Sequence, residues 1–151
     1  MSLPTSTIPA VLDALLAQLT ARLTVLPVDG DPVEVYDGET ALLAAQCIQV
    51  VGVSNATQEW GATGLSRVWE SYDVNLQIRV FAGSDNQPWA RARAYLIYGV
   101  LLAAPLRDDP GMGGLVMEAE PSFTGLVNGP TDKGGRVAIV PAVVHVDAEL
   151  A

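Results

Sequence analysis

Tyr72-Asp73-Val74-Asn75-Leu76-Gln77-Ile78-Arg79-Val80, followed a little later by Ala94-Tyr95-Leu96-Ile97-Tyr98-Gly99-Val100-Leu101-Leu102-Ala103-Ala104, decides how this chain folds. In the first run Tyr72, Val74, Leu76, Ile78 and Val80 point one way. Asp73, Asn75, Gln77 and Arg79 point the other, the period-two pattern of a strand with one buried face. The second run carries no charge on any side. A helix apolar all round needs burial all round, and a small domain covers one stripe more easily than the rest. A neighbouring subunit is the natural candidate to cover it.

Outward from this unit, the N-terminal segment predicts a helix capped by Ser6 or Thr7, with Pro9 tolerated in its first turn. Its buried stripe is Val11, Leu12, Leu15, Leu16, Leu19 and Leu23. Pro27 and Asp29-Gly30-Asp31-Pro32 end it, and Val33 to Tyr36 reads as a short strand closed by Asp37-Gly38. Gln46 to Val53 reads as a second strand. Ser54 to Ser66, polar and punctuated by glycine, reads as a mobile loop. The third strand runs roughly from Arg67 to Ala82. Asp85 is a plausible cap for the second helix, which has Pro88 in its first turn and is stopped near Leu106 by Asp109-Pro110-Gly111. Leu115 to Phe123, interrupted by Pro121, and Arg136 to Leu150 read as the last strands, joined by a glycine-rich hairpin tip at 125–135. In the final strand Val140, Ala142, Val144 and Val146 share one face, and Ile139, Val143, His145 and Asp147 the other. The order α-β-β-β-α-β-β predicts a single α+β domain over 1–151, a mostly antiparallel sheet of about five strands with two main helices on one face.

The chain has 151 residues, with 17 acidic against 8 basic and a formal charge of −9. That balance argues against an electrostatic nucleic-acid binder or a protein that sits on anionic lipid. Cys47 is the sole cysteine, which leaves no intramolecular disulfide and no thiolate cluster for a metal and fits a reducing compartment. The N-terminus has no basic residue before its first apolar segment, and Asp13, Gln18 and Arg22 interrupt that segment, so it reads as neither a signal peptide nor a membrane anchor. The uncharged run Ala94 to Leu106 falls short of the roughly 20 residues a spanning helix requires. Asn55-Ala56-Thr57 matches a glycosylation acceptor by chance, since no secretory signal accompanies it.

Catalytic patterns are scarce. His145 is the only histidine, so it has neither a second histidine nor a cysteine to share a metal with. A contact with a carboxylate of its own strand face is weighed against plain solvation of that face, and a Ser-His-Asp device would need a serine delivered by tertiary structure. Gly111-Met112-Gly113-Gly114 has the composition of a phosphate loop but follows a helix and precedes a strand, the reverse of the order that orients backbone N–H groups. Asp108 and Asp109 lack the spaced ligands of a calcium loop. No cofactor or metal is expected.

The remaining candidates concern surfaces. Trp60 either tucks back onto the core or anchors a partner, since aromatic residues dominate interface hot spots. Arg91 and Arg93 fall in the first turns of the second helix, where positive charge opposes the helix dipole. They face Glu59, Glu70 or water, or one of them makes an intersubunit ion pair. Together with Trp89, Leu96, Leu101, Lys133 and Arg136 these are the candidate interface residues. Glu70, Asp73, Asn75 and Gln77 form a candidate polar lining.

Val33-Glu34-Val35-Tyr36-Asp37-Gly38, Tyr72-Asp73-Val74, and Ala90-Arg91-Ala92-Arg93-Ala94 leading to Leu106-Arg107-Asp108-Asp109-Pro110 resemble the tail terminator proteins of long-tailed bacteriophages of actinobacterial hosts. Leu115-Val116 and the strand Val137 to Leu150 continue the likeness, which covers most of the chain as a layout without a catalytic motif. The resemblance implies a non-enzymatic virion protein at the head–tail junction, made in the host cytoplasm. It implies a small α+β subunit that closes into a ring, usually a hexamer, on the last ring of the tail tube. There it stops tube polymerisation and receives a head completion or connector protein. Its partners would be copies of itself, the tail tube protein and that head protein, with DNA passing through without specific binding and no membrane. Another head–tail joining protein of the neck is the nearer alternative, and a cytoplasmic ligand-binding domain the more distant. The acidic balance suits such a passage, because a wall that bound phosphate would hold a genome that must slide.

Overall fold

The computed structural model describes residues 5–40, 43–60, 67–84, 86–131 and 134–150. Its elements are α1 (Ile8–Arg22), β1 (Val33–Asp37), β2 (Gln46–Trp60), β3 (Val68–Ala82), α2 (Gln87–Ile97), a π-helical turn (Tyr98–Ala103), α3 (Ala104–Asp108), β4 (Glu118–Phe123), β5 (Val127–Pro130) and β6 (Arg136–Leu150). The sheet order is β1-β2-β3-β6-β4, with β5 also pairing β6. Only the β1–β2 pair is parallel among these pairings. The α+β order matches the expectation, with β5 added as a short sixth strand.

Strand periodicity places the core. Along β3 every even-numbered residue from Val68 to Ala82 is buried, and β6 repeats this from Ala138 to Ala148. Antiparallel pairing sets Tyr72 opposite Val146, Val74 opposite Val144 and Ile78 opposite Val140, so both strands turn one apolar face to the helices. Onto that face pack Val11, Leu15 and Leu19 of α1, Ala90, Ala94 and Ile97 of α2, and Leu101, Leu102 and Leu106 beyond it. Each large aliphatic group fully withdrawn from water stabilises the layer by about 1.5–3 kcal/mol. Among the described residues the opposite face carries no helix.

The second helix widens where proline demands it. Pro105 has no N–H to give to Leu101, and its ring would press on that carbonyl. The chain answers with the π turn, in which the Ala104 N–H reaches back to the carbonyl of Gly99.

Three local readings change. Thr7 is the N-cap of α1 but makes no side-chain cap; the Ser6 Oγ accepts from the Ile8 N–H at 3.0 Å instead, which frees the Thr7 hydroxyl for Glu70. Ser54 to Trp60 is strand, not loop, because β2 continues opposite Asp73 to Val68 through register shifts after Val50 and Ser54. Asn55 there takes a φ of 55°, the signature of a bulge. The expected hairpin tip contains β5, whose Val127 to Pro130 pairs Ile139 to Arg136. Behind it Gly135, at φ 81°, sits where a Cβ would collide with the Ala82 carbonyl. The expected cap Asp85 and the segment 61–66 lie outside the described residues; Asn86 caps α2 by accepting from the Trp89 N–H at 3.2 Å.

Candidate functional site

The open sheet face presents the odd-numbered residues of β3 and β6. Asp73 faces His145 across the ladder, and Ser71 faces Asp147. His145 Nδ1 lies 2.7 Å from Asp73 Oδ1, and its Nε2 lies 3.4 Å from both Ser71 Oγ and Asp147 Oδ1. Asn55 donates to the second Asp73 oxygen at 2.9 Å, and Asn75 donates to Ser54 Oγ at 2.8 Å. On the far side of β6, Glu120 is paired with His145. The hydrogen bond to Asp73 raises the imidazole pKa above its usual value despite partial desolvation, and Asp147 adds to the rise. Donation from Asn55 and then His145 holds Asp73 below the ordinary carboxylate range.

Ser71, His145 and Asp73 stand in the order of a nucleophile, base and orienting acid. The setting differs from a catalytic one. Ser71 lies within the β2–β3 and β3–β6 ladders, whose backbone N–H groups are spent on strand pairing rather than gathered toward a developing oxyanion. The trio works as an electrostatic clasp that ties β3, β6 and the β2 bulge together.

Beside the clasp a groove of about 520 Å³ crosses four strands, lined by Thr57 and Glu59 of β2, Trp69 and Ser71 of β3, Asp147 of β6, and Met117 with Glu118 at the start of β4. Trp69 and Met117 are both exposed. Parity alone puts Trp69 on the polar face with Ser71 and Asp73, a signal present in the sequence and not singled out there. Among the described residues, no group of three or more His, Cys, Asp or Glu could hold a metal ion, and no helix is long and apolar enough to cross a membrane.

The expected surface residues divide. Asp73, Asn75 and Gln77 share the open face as anticipated. Glu70 does not: it has the parity of Tyr72, is buried, and accepts from the Thr7 N–H at 2.8 Å and the Thr7 hydroxyl at 2.5 Å, while Gln58 donates to its other oxygen at 2.8 Å. Arg93 is likewise internal, with its Nε 2.7 Å from Gln46 Oε1 and its Nη1 2.7 Å from the Pro27 carbonyl. Leu101 is fully buried in the core. Trp89 donates its indole N–H to Asp29 at 2.7 Å, which fastens the chain after α1 to α2. Trp60, at 77% exposure, and Leu96, at 40%, face solvent, as does Arg91. Arg136 is half-buried and has a partner of its own, and Lys133 lies outside the described residues.

These features define a two-layer α+β domain with one helix-covered and one open, polar sheet face. No family model matches the chain, and no curated protein matches it. Among solved structures it is similar to a chain of the virion of a native gene transfer agent particle, at 12% identity and a TM-score of 0.47, over 96% of this chain and all of that one. A similarity of that size carries no functional argument.

Proposed function

We propose that this protein is a structural component of a bacteriophage virion that closes into a ring on the end of the tail tube, stops its polymerisation and joins the tail to the head. The observation that carries the reading is the sheet face that, among the described residues, carries no helix, together with solvent-facing Trp60 on β2 and Leu96 on α2. A face of this kind serves a chain whose work is contact, and the layout likeness to tail terminators names the contact. Ring closure requires two different patches used head to tail. The row Asp73, Asn75 and Gln77 would line the passage, where acidic and neutral polar groups let DNA slide. The subunit number expected from the likeness is six.

The test is negative-stain electron microscopy of the purified protein, alone and with assembled tail tubes. Rings in solution or seated on tube ends support the reading. A species that stays monomeric and leaves tube ends bare refutes it.

A further inference from the structure

Arg91 is an exposed cation of this acidic chain. Arg93 is buried among oxygens, Arg67 pairs with Glu149 at 3.3 Å, and Arg22 donates to the Val100 carbonyl at 3.2 Å. Arg136 has a partner, Arg79 is half-buried on the open sheet face, and Arg107 lines a cleft on the β4 side without an ion pair among the described residues. Arg91 is exposed and, among the described residues, unpaired.

Its position on α2 is fixed by its helical neighbours. One turn earlier, Gln87 donates to the Val137 carbonyl at 3.0 Å. One turn later, the Tyr95 ring meets Phe123 edge-on at 5.2 Å. Residues four apart share a helix face, so Arg91 projects over the β4–β5 edge, where Phe123 is 50% and Val127 59% exposed. That edge is therefore an apolar patch crowned by one unpaired cation. The groove at the other end of the open sheet face is its complement: Trp69 and Met117 offer apolar surface, and Glu59, Glu118 and Asp147 offer negative charge.

We infer that the two patches meet between copies, with Arg91 of one subunit seated among Glu59, Glu118 and Asp147 of the next, its stem on Trp69. The contact rests on the ring reading above and specifies its head-to-tail surfaces. It is heterologous, as ring closure requires, and it pairs the orphan cation with the carboxylates that flank an aromatic ring, the setting in which arginine binds well.

The experiment is sedimentation velocity on the full chain over a concentration series, with circular dichroism confirming that each variant is folded. Both substitutions fall on exposed side chains. Arg91→Glu and Glu118→Lys should each weaken self-association by about 100-fold, because like charges then face one another. An equimolar mixture of the two variants should form a mixed dimer through the interface in which the swapped charges meet. The inference is overturned if Arg91→Glu associates like wild type, if the mixture gains nothing over its components, or if wild type itself does not associate. Tube capping is scored separately: capping that survives in Arg91→Glu refutes this contact and leaves the ring reading standing, whereas wild type that never caps refutes the ring reading itself.

Discussion

Arg93 and Gln46, on α2 and β2, are joined by a 2.7 Å hydrogen bond from the guanidinium Nε to the side-chain oxygen, and both are buried. The same arginine reaches the Pro27 carbonyl, and the Gln46 amide donates to the Asp29 carbonyl at 2.8 Å. One guanidinium thus fastens the segment after α1 to the start of β2. Arg93→Met keeps most of the stem volume and strands the buried Gln46 oxygen and the Pro27 carbonyl. It should lower stability by about 2–4 kcal/mol, read from urea denaturation. Arg93→Lys should recover only part of this, because an ammonium lacks the planar fork. A shift under 0.5 kcal/mol in Arg93→Met would show that the network contributes little.

Glu70 links stability to acid. Burial pushes its carboxyl upward, but hydrogen bonds from Thr7, Ser6 and Gln58 together outweigh burial and hold it below the ordinary value. A depressed folded pKa contributes stability above the unfolded value of about 4.3, and that contribution disappears as pH falls through the folded value. The melting temperature should therefore drop steeply below about pH 4, and Glu70→Gln should flatten that slope. An identical acid slope in the variant would remove Glu70 from the account.

His145 behaves in the opposite sense. Its folded pKa is raised, so its contribution is complete below the unfolded value of about 6.5 and is lost as pH rises through the folded value. Imidazole proton resonances should titrate with a midpoint above 6.5, and Asp73→Asn should bring the midpoint down. A midpoint that ignores Asp73→Asn would mean that the clasp is not formed in solution.

Leu96 and Leu101 separate packing from contact. Leu101→Asp places a charge in the core and should prevent folding, giving a flat thermal melt. Leu96→Asp falls on a 40% exposed position and should leave the melt within about 1 kcal/mol of wild type while weakening any assembly. Cooperative melting of Leu101→Asp would contradict the burial described above.

Much of the fold is legible in the sequence because periodicity reports burial directly. The alternation from Tyr72 to Val80 and the stripe Val11, Leu15, Leu19 each name the face that the structure buries. The failures have physical reasons. Ser54 to Trp60 is polar on both faces, as an exposed edge strand with a bulge must be, and that composition is indistinguishable from a loop. β5 is held by pairing with β6 rather than by its own Val-Asn-Gly-Pro sequence, so tertiary context overrides propensity. Arg93 and Glu70 look like surface charges until long-range partners 47 and 63 residues away supply their hydrogen bonds. The clasp and groove were only half visible: parity places Asp73, His145 and Trp69 on one face, but strand order alone brings β4 beside β6 and completes the walls.

The central claim is that this chain ends a growing tube, and tube length measures it most directly. Tail tube protein polymerised with increasing amounts of this protein should give progressively shorter tubes with a ring on one end. Lengths that do not respond at any ratio, with no density at either end, would contradict the account.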